Sequence, residues 1–263
     1  MSKNNNKNFS SNINKIKSKK FELAIYIVLR LIVFVTMIVS FFRGNYENVF
    51  LCVFSLFLFM IPNMIQRKLN IELPTTLEVI ILFFIFASLI LGEMQSYYIK
   101  FQYWDTMLHT INGFLCAAVG FALVELLNRQ KNIKFNLSPI YLSIVAFCFS
   151  MTIGVLWEFF ECGCDMFLHT DMQKDTIVHS ISSTALNKSK ENTPVIINDI
   201  KEVTINGEKL DIDGYLDIGL LDTMKDLFVN FIGAVIFSTI GYFYLKNGGN
   251  GKFVKRFIPR IKS

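Results

Sequence analysis

Apolar residues gather into six runs long enough to cross a bilayer, at 23–42, 49–65, 77–91 with some extension to Glu93, 105–127, 140–160 and 222–245. A helix rises about 1.5 Å per residue, so about 20 apolar residues cover a hydrocarbon core of about 30 Å. The third run is the shortest and is expected to tilt little or to end in the interface. Glu78 falls in its first turn, where a carboxylate suits a helix N-terminus and reaches water. The run that opens at Phe21 ends in Phe41-Phe42-Arg43. It is longer than a signal-peptide core and has no small-residue cleavage site, so it reads as an uncleaved first span. The pattern predicts an all-α polytopic membrane protein with six transmembrane helices and a small β-hairpin insert.

The insert lies in the long loop 170–221. Residues 200–205 and 208–212 alternate apolar and polar positions around Asn206-Gly207. An Asn-Gly pair so flanked predicts a hairpin, because both central residues adopt positive φ. A lone two-stranded hairpin is marginal, so it is expected to rest on helix ends or on the membrane surface, as a lid or as a surface insertion. The chain then divides into a basic tail (1–20), spans one to three (21–94), an aromatic interfacial segment with spans four and five (95–169), the loop (170–221), span six (222–245) and a second basic tail (246–263).

Charge fixes the expected orientation. Lys3, Lys7, Lys15, Lys17, Lys19 and Lys20 precede the first span. Arg67 and Lys68 separate the second and third, and Arg129, Lys131 and Lys134 the fourth and fifth. Lys246, Lys252, Lys255, Arg256, Arg260 and Lys262 follow the sixth. The other connections hold few cations, so both termini are expected in the cytoplasm and the loop outside. The aromatic stretch 97–104 then reads as an outer interfacial belt. With 52% apolar residues and 27 Phe among 263, the chain is too apolar for an ordinary soluble domain. The net charge of +5 is topological and lipid-facing, and excludes nucleic acid as the expected partner. Abundant Lys, Asn and Ile with scarce Ala is a bias common in low-GC bacteria. Cys52, Cys116 and Cys148 lie in apolar runs and read as small core residues. Cys162 and Cys164 form a Cys-x-Cys pair, read as packing thiols because two ligands alone make a weak metal signal.

Polar groups inside the apolar runs change the picture most. Asp105, His109 and Asn112 open the fourth span. Glu158, Glu161 and Asp165 close the fifth, and Asp222, Asp226 and Asn230 open the sixth. With the expected topology all nine fall on the extracytoplasmic side, each group on a narrow arc of its helix. Ionisable groups in a bilayer are expensive unless paired, bound or hydrated, so these stripes are expected to face one another in a shallow outer cavity. Asp105-Thr-Met-x-His109 and Asp222-Thr-Met-x-Asp226 also resemble each other. Capping explains their first Asp but not His109, Asp226 or Asn230, a turn or more inside.

Carboxylates so grouped must share protons or a cation. Oxygen-rich ligation with one imidazole suits Mg²⁺, Mn²⁺ or Zn²⁺, so a divalent metal held by His109, Glu158, Glu161 and Asp226 is one expectation. Without metal, the same four are candidate catalytic acids and bases or a proton relay. Asp105, Asn112, Asp165, Asp222 and Asn230 are then candidate substrate-binding groups. The bland alternatives are helix caps, snorkelling carboxylates and a His–Asp lock within a bundle. Asp171, Asp175 and His179 would align on a helix, as a second metal group or as a solvated face. Arg30 in the first span is expected to snorkel or to pair with Glu125. Trp157, Phe159 and Phe160 read as interfacial anchors.

At these residues the chain resembles the YjdF-like group of uncharacterised bacterial inner-membrane proteins and, more distantly, the VanZ-like group. The resemblance is carried by Asp105-x₃-His109 with Gly113, by Trp157-Glu158-x₂-Glu161, and by Asp222-x₃-Asp226-x₃-Asn230-x₂-Gly233, within 104–241. Glu161 stands where the VanZ-like group usually has Gln, and the Arg common before the last helix is absent. The resemblance implies a multi-pass protein of the bacterial plasma membrane. Three function classes follow: a metal-dependent enzyme or cell-envelope factor acting on a lipid-linked or envelope substrate at the outer leaflet; a proton- or cation-coupled transporter; and a non-catalytic membrane scaffold. Membrane lipid is the expected partner. The inner halves of spans four to six offer little beyond Glu125, which favours a one-sided site over a transporter.

Overall fold

The computed structural model describes residues 2–68, 70–128, 137–189 and 191–261. Arg129, Lys131, Lys134 and Lys262, counted in the charge alternation, lie outside the described residues. Among the described residues, six helical stretches are long and apolar enough to cross a membrane: Lys20–Phe42, Tyr46–Lys68, Thr75–Met94, Trp104–Leu127, Pro139–Leu168 and Leu220–Lys246. They match the six apolar runs of the sequence. Two compact units divide the chain, Met1–Met151 with Val229–Ser263, and Thr152–Phe228.

In the first unit, helix α1 (Ser2–Phe42) starts well upstream of its span. No Pro or Gly interrupts residues 2–42, so the backbone expected as a tail continues the helix that the apolar run nucleates. The helix ends in a Schellman motif, with Asn45 N–H on Ser40 C=O, Gly44 N–H on Phe41 C=O and Gly44 at φ 72°. The Asn45 side chain then caps α2 (Tyr46–Leu58) by accepting from Asn48 N–H at 3.0 Å. The second span breaks before α3 (Ile61–Lys68), where Pro62 supplies no N–H to continue the ladder. A short strand, β1 (Ile71–Glu72), leads into α4 (Thr75–Ile85), which passes into π-helical turns over Phe86–Met94. The short helix α5 (Tyr97–Lys100) follows, and the indole of Trp104 donates to the Ala87 carbonyl at 3.3 Å.

Helices α6 (Trp104–Asn128) and α7 (Pro139–Leu168) carry spans four and five, and α8 (Leu220–Lys246) carries span six. The core of this unit joins Leu115, Ala118 and Phe121 of α6, Leu142 and Ala146 of α7, Phe237 and Tyr244 of α8, and Val254, Phe257 and Ile258 beyond it. A second cluster packs Leu29 and Val33 against Cys52, Phe59, Leu82 and Ile90. The outward faces stay apolar, as Leu23, Ile27, Leu31 and Phe34 of α1 show at 58%, 56%, 60% and 48% exposure. Such surface has no place in water and fits lipid. Cys148, expected in the core, is exposed on the same face of α7 as Ile144; an i, i+4 pair on the outward face follows from helix periodicity. Among the described residues, the five cysteines form no disulfide. After α8, strand β8 (Arg260–Ile261) pairs antiparallel with β1, Glu72 opposite Arg260.

The second unit holds the end of α7, the start of α8 and the loop between. Among its described residues, three two-stranded pairs form: β2 (Ile177–Val178) with β7 (Tyr215–Leu216), β3 (Ile181–Ser183) with β4 (Val195–Ile197), and β5 (Thr204–Ile205) with β6 (Glu208–Lys209). The last is the hairpin the Asn-Gly pair predicts, with Asn206 at φ 54° and Gly207 at φ 89°. Its strands are shorter than 200–205 and 208–212, extended only by Leu210 N–H on Val203 C=O. Exposed on both sides, it has no apolar face to prolong pairing.

Candidate functional site

In the first unit the polar stripe of α6 faces α8. Asp105 and His109 pair one turn apart, Oδ1 to Nε2 at 3.4 Å, with His109 buried and Asp105 half-buried. One turn further, Asn112 donates through Nδ2 to Oδ1 of Asn230 at 3.2 Å. Asn230, 1% exposed, stands within 3.7 Å of the Met151 sulfur through its amide nitrogen. Cys116 donates its thiol to Asn112 Oδ1 at 3.4 Å. The amides thus hold two helices whose backbones nearly touch. A Cβ at Gly113 would overlap the Asn230 carbonyl, and one at Gly233 would overlap the Thr110 carbonyl. Ser150 of α7 donates to the Gly113 carbonyl at 2.7 Å. Small residues at a membrane-helix contact permit this approach, and polar side chains then bond across it.

In the second unit, α7 carries a stripe of Gly154, Glu158, Glu161 and Asp165 at spacings of three and four residues. Glu158 is 4% and Glu161 8% exposed, and on α8 Asp226 is 2% exposed. The Trp157 indole, read from sequence as an anchor, donates to Glu161 Oε1 at 2.7 Å. Its i, i+4 spacing was the signal for that bond. Lys225 reaches Asp222 at 3.2 Å and Asp226 at 3.7 Å.

The outermost carboxylates do structural work. Asp165 accepts from Thr170 Oγ1 at 2.8 Å, Met172 N–H at 2.7 Å and Gln173 N–H at 2.8 Å. Asp222 accepts Lys174 N–H at 3.0 Å, and Gln173 Nε2 donates to Thr223 Oγ1 at 2.6 Å. These bonds correct two expectations. Residues 171–179 are not helical, because the two carboxylates capture the N–H groups that a helix would use; Asp171, Asp175 and His179 therefore share no helix face. His179 instead follows β2 and pairs through Nδ1 with the Ile200 carbonyl at 3.0 Å. Nor does Asp222 cap α8: it lies inside the first turn, and Asp217, which the sequence reading missed, accepts Leu221 N–H at 2.8 Å and Thr176 N–H at 2.7 Å. Burial opposes the Asp217 charge, yet the backbone N–H groups outweigh it and hold the carboxyl below its ordinary value of 3.8. Asp175 moves the other way, raised by burial and by the charges of Asp171, Asp217 and Asp165. Asp105 likewise lies one residue inside α6. In the first span, Arg30 donates to the Tyr26 hydroxyl at 2.6 Å and lies 4.0 Å above the Tyr26 ring centre.

Of the nine polar residues, then, Asn112 and Asn230 lock helices, while Asp165 and Asp222 tie the loop to α7 and α8. His109, Glu158, Glu161 and Asp226 are left buried on membrane-spanning helices. A buried carboxylate carries its charge only beside a cation or strong donors, and otherwise takes a proton. Both states are chemically useful, the first for holding a cation and the second for giving or taking a proton.

No curated protein and no solved structure gives a match to this chain. A family described as "Predicted membrane protein (DUF2238)" matches residues 25–247. It is the YjdF-like group whose residue pattern the sequence resembles. With the match running from the first span through the last, the chain belongs to this family of predicted membrane proteins.

Proposed function

We propose that the protein works at the outer face of a bacterial plasma membrane, with both termini cytoplasmic, on a lipid-linked or cell-envelope substrate. His109, Glu158, Glu161 and Asp226 supply acid–base chemistry or hold a divalent cation. The observation that carries this reading is the burial of Glu158, Glu161 and Asp226 on apolar helices. Carboxylates sited there cost several kcal/mol unless they are paired, hydrogen-bonded or used as ligands or proton carriers. Three oxygen donors with one imidazole fit Mg²⁺, Mn²⁺ or Zn²⁺. A bound cation would polarise a phosphoryl oxygen or lower the pKa of water. The VanZ-like ordering of Asp and His, then Glu, then Asp and Asn is in keeping with an envelope role.

The test is elemental analysis of purified protein beside a Glu158→Gln, Asp226→Asn double variant, together with complementation of the envelope-stress or antibiotic-susceptibility phenotype of a deletion strain. A site of this kind predicts lost complementation by His109→Ala and by the double variant at unchanged protein abundance. The metal form predicts near-stoichiometric metal in wild type alone. Equal metal in both proteins removes the metal form. Complementation that falls only as abundance falls removes the site altogether and leaves a scaffold.

A further inference from the structure

A cavity in the first unit is lined by none of the nine polar residues of spans four to six. It has a volume of about 640 Å³ and is bounded where span one begins, where span three begins and where the chain runs on after span six. Three carboxylates, Glu22, Glu72 and Glu78, and three cations, Lys255, Arg256 and Arg260, line it. In sequence these cations read as orientation signals only.

The walls are built. Glu78 is 6% exposed, and its Oε2 accepts from Gln66 Nε2 at 3.1 Å. The other end of that amide is fixed by Leu73 N–H on Gln66 Oε1 at 3.2 Å, so the NH₂ is aimed at the carboxylate. Glu22 is held by Thr75 Oγ1 at 2.7 Å. The cations sit on an anchored segment. Val254, Phe257 and Ile258 are buried in the main core, which turns Lys255 and Arg256 outward, and the β1–β8 pair sets Arg260 opposite Glu72.

The charges choose among ligands. A polyanion would gain from the cations but would meet three carboxylates, and like charges brought together are repelled. A simple cation would meet the reverse. A zwitterion can satisfy both sets of groups, its phosphate set by Lys255, Arg256 and Arg260 and its ammonium by Glu22, Glu72 and Glu78. The volume falls within the range of small-molecule sites, roughly 300–1,000 Å³. Leu23, 58% exposed on the outer face of α1, forms part of the wall, which gives an acyl chain a way out along apolar surface. We infer that this cavity binds the headgroup of a zwitterionic aminophospholipid, phosphoethanolamine in chemistry, with its chains lying along α1.

Native mass spectrometry of the full chain, released from detergent after titration with phosphatidylethanolamine, phosphatidylglycerol or free phosphoethanolamine, reads this directly. Phosphatidylethanolamine is expected to bind at least tenfold more tightly than phosphatidylglycerol, and free phosphoethanolamine more weakly than the lipid. Arg256→Glu, on an exposed side chain, is expected to lower lipid binding at least tenfold. Glu78→Gln is expected to erase the preference for the amine headgroup. Equal binding of the two lipids, or an Arg256→Glu protein that binds as wild type does, overturns the inference. Free phosphoethanolamine binding as tightly as the lipid would overturn the lipid source and leave a soluble zwitterion as ligand.

Discussion

Adding one methyl group at Gly113 should loosen the membrane bundle, whereas adding one at Gly163 should tighten it. Both residues are inside helices, where Gly→Ala gains roughly 1 kcal/mol in propensity. They differ in what the new Cβ meets. At Gly163 there is nothing within 4 Å, so the propensity gain stands alone, at about 0.5–1 kcal/mol. At Gly113 the new atom overlaps the backbone carbonyl of Asn230. A helix carbonyl cannot rotate aside as a side-chain tip does, so α6 and α8 must separate. Overpacking costs roughly 1–3 kcal/mol, and separation also stretches the Asn112–Asn230 bond, worth roughly another 1 kcal/mol. The net expectation is a loss of about 1–3 kcal/mol. Gly233→Ala, which drives a Cβ into the Thr110 carbonyl, should behave alike. The double variant should cost less than the two single effects combined, because one separation relieves both overlaps. Thermal unfolding in a single detergent, followed with a thiol-reactive dye in a background where the other four cysteines are replaced and buried Cys52 alone remains, measures all four proteins. A Gly113→Ala protein that melts at or above wild type would refute the close helix contact.

Other outcomes can be checked independently. Asp165→Ala removes the acceptor of the Met172 and Gln173 N–H groups; hydrogen exchange at those amides should accelerate at least tenfold, about 1.4 kcal/mol of lost protection, and unchanged exchange would contradict the tie. Asp217 has its folded pKa below the ordinary 3.8, so its stabilising effect is complete above 3.8 and is lost as pH falls through the lower folded value. Protease sensitivity of the loop should therefore rise with acidification below 3.8, and Asp217→Asn should show that sensitivity at neutral pH. Asp175 has its folded pKa raised, so it acts in the opposite sense: its favourable contribution fades as pH rises through that value, and Asp175→Asn should make the loop more protease-resistant at neutral pH. For orientation, a cysteine placed at Ser189 in a background lacking the five native ones should react in intact cells with a membrane-impermeant maleimide, and one placed at Lys252 only after lysis. The reverse result would invert the topology.

The spans were legible because a bilayer imposes length and hydrophobicity on every crossing helix, and both are one-dimensional properties. The stripes at His109, Glu158, Glu161 and Asp226 were legible for the same reason: charge within an apolar run needs an explanation. The Asn-Gly turn could be read because it depends on two adjacent residues. What escaped depends on partners far apart in sequence. Asp217 bonds to Thr176 as well as to its own helix start, and nothing near Asp217 announces Thr176. The strands around it are two or three residues long, too short for alternation to rise above chance. The π-helical turns over Phe86–Met94 escaped too, since Gly92, pressed by the Tyr98 ring, marks the site only once the neighbour is known.

The pairing of β1 with β8 bears on biogenesis. Four of the six spans are synthesised between these two strands, so β1 waits until residues 260–261 have been made before its edge is stitched. Loop-closure entropy makes such a distant contact slow to form. Until then the seats of Val254, Phe257 and Ile258 stand open, and a prematurely stopped chain would offer quality-control proteases a ready-made degradation mark.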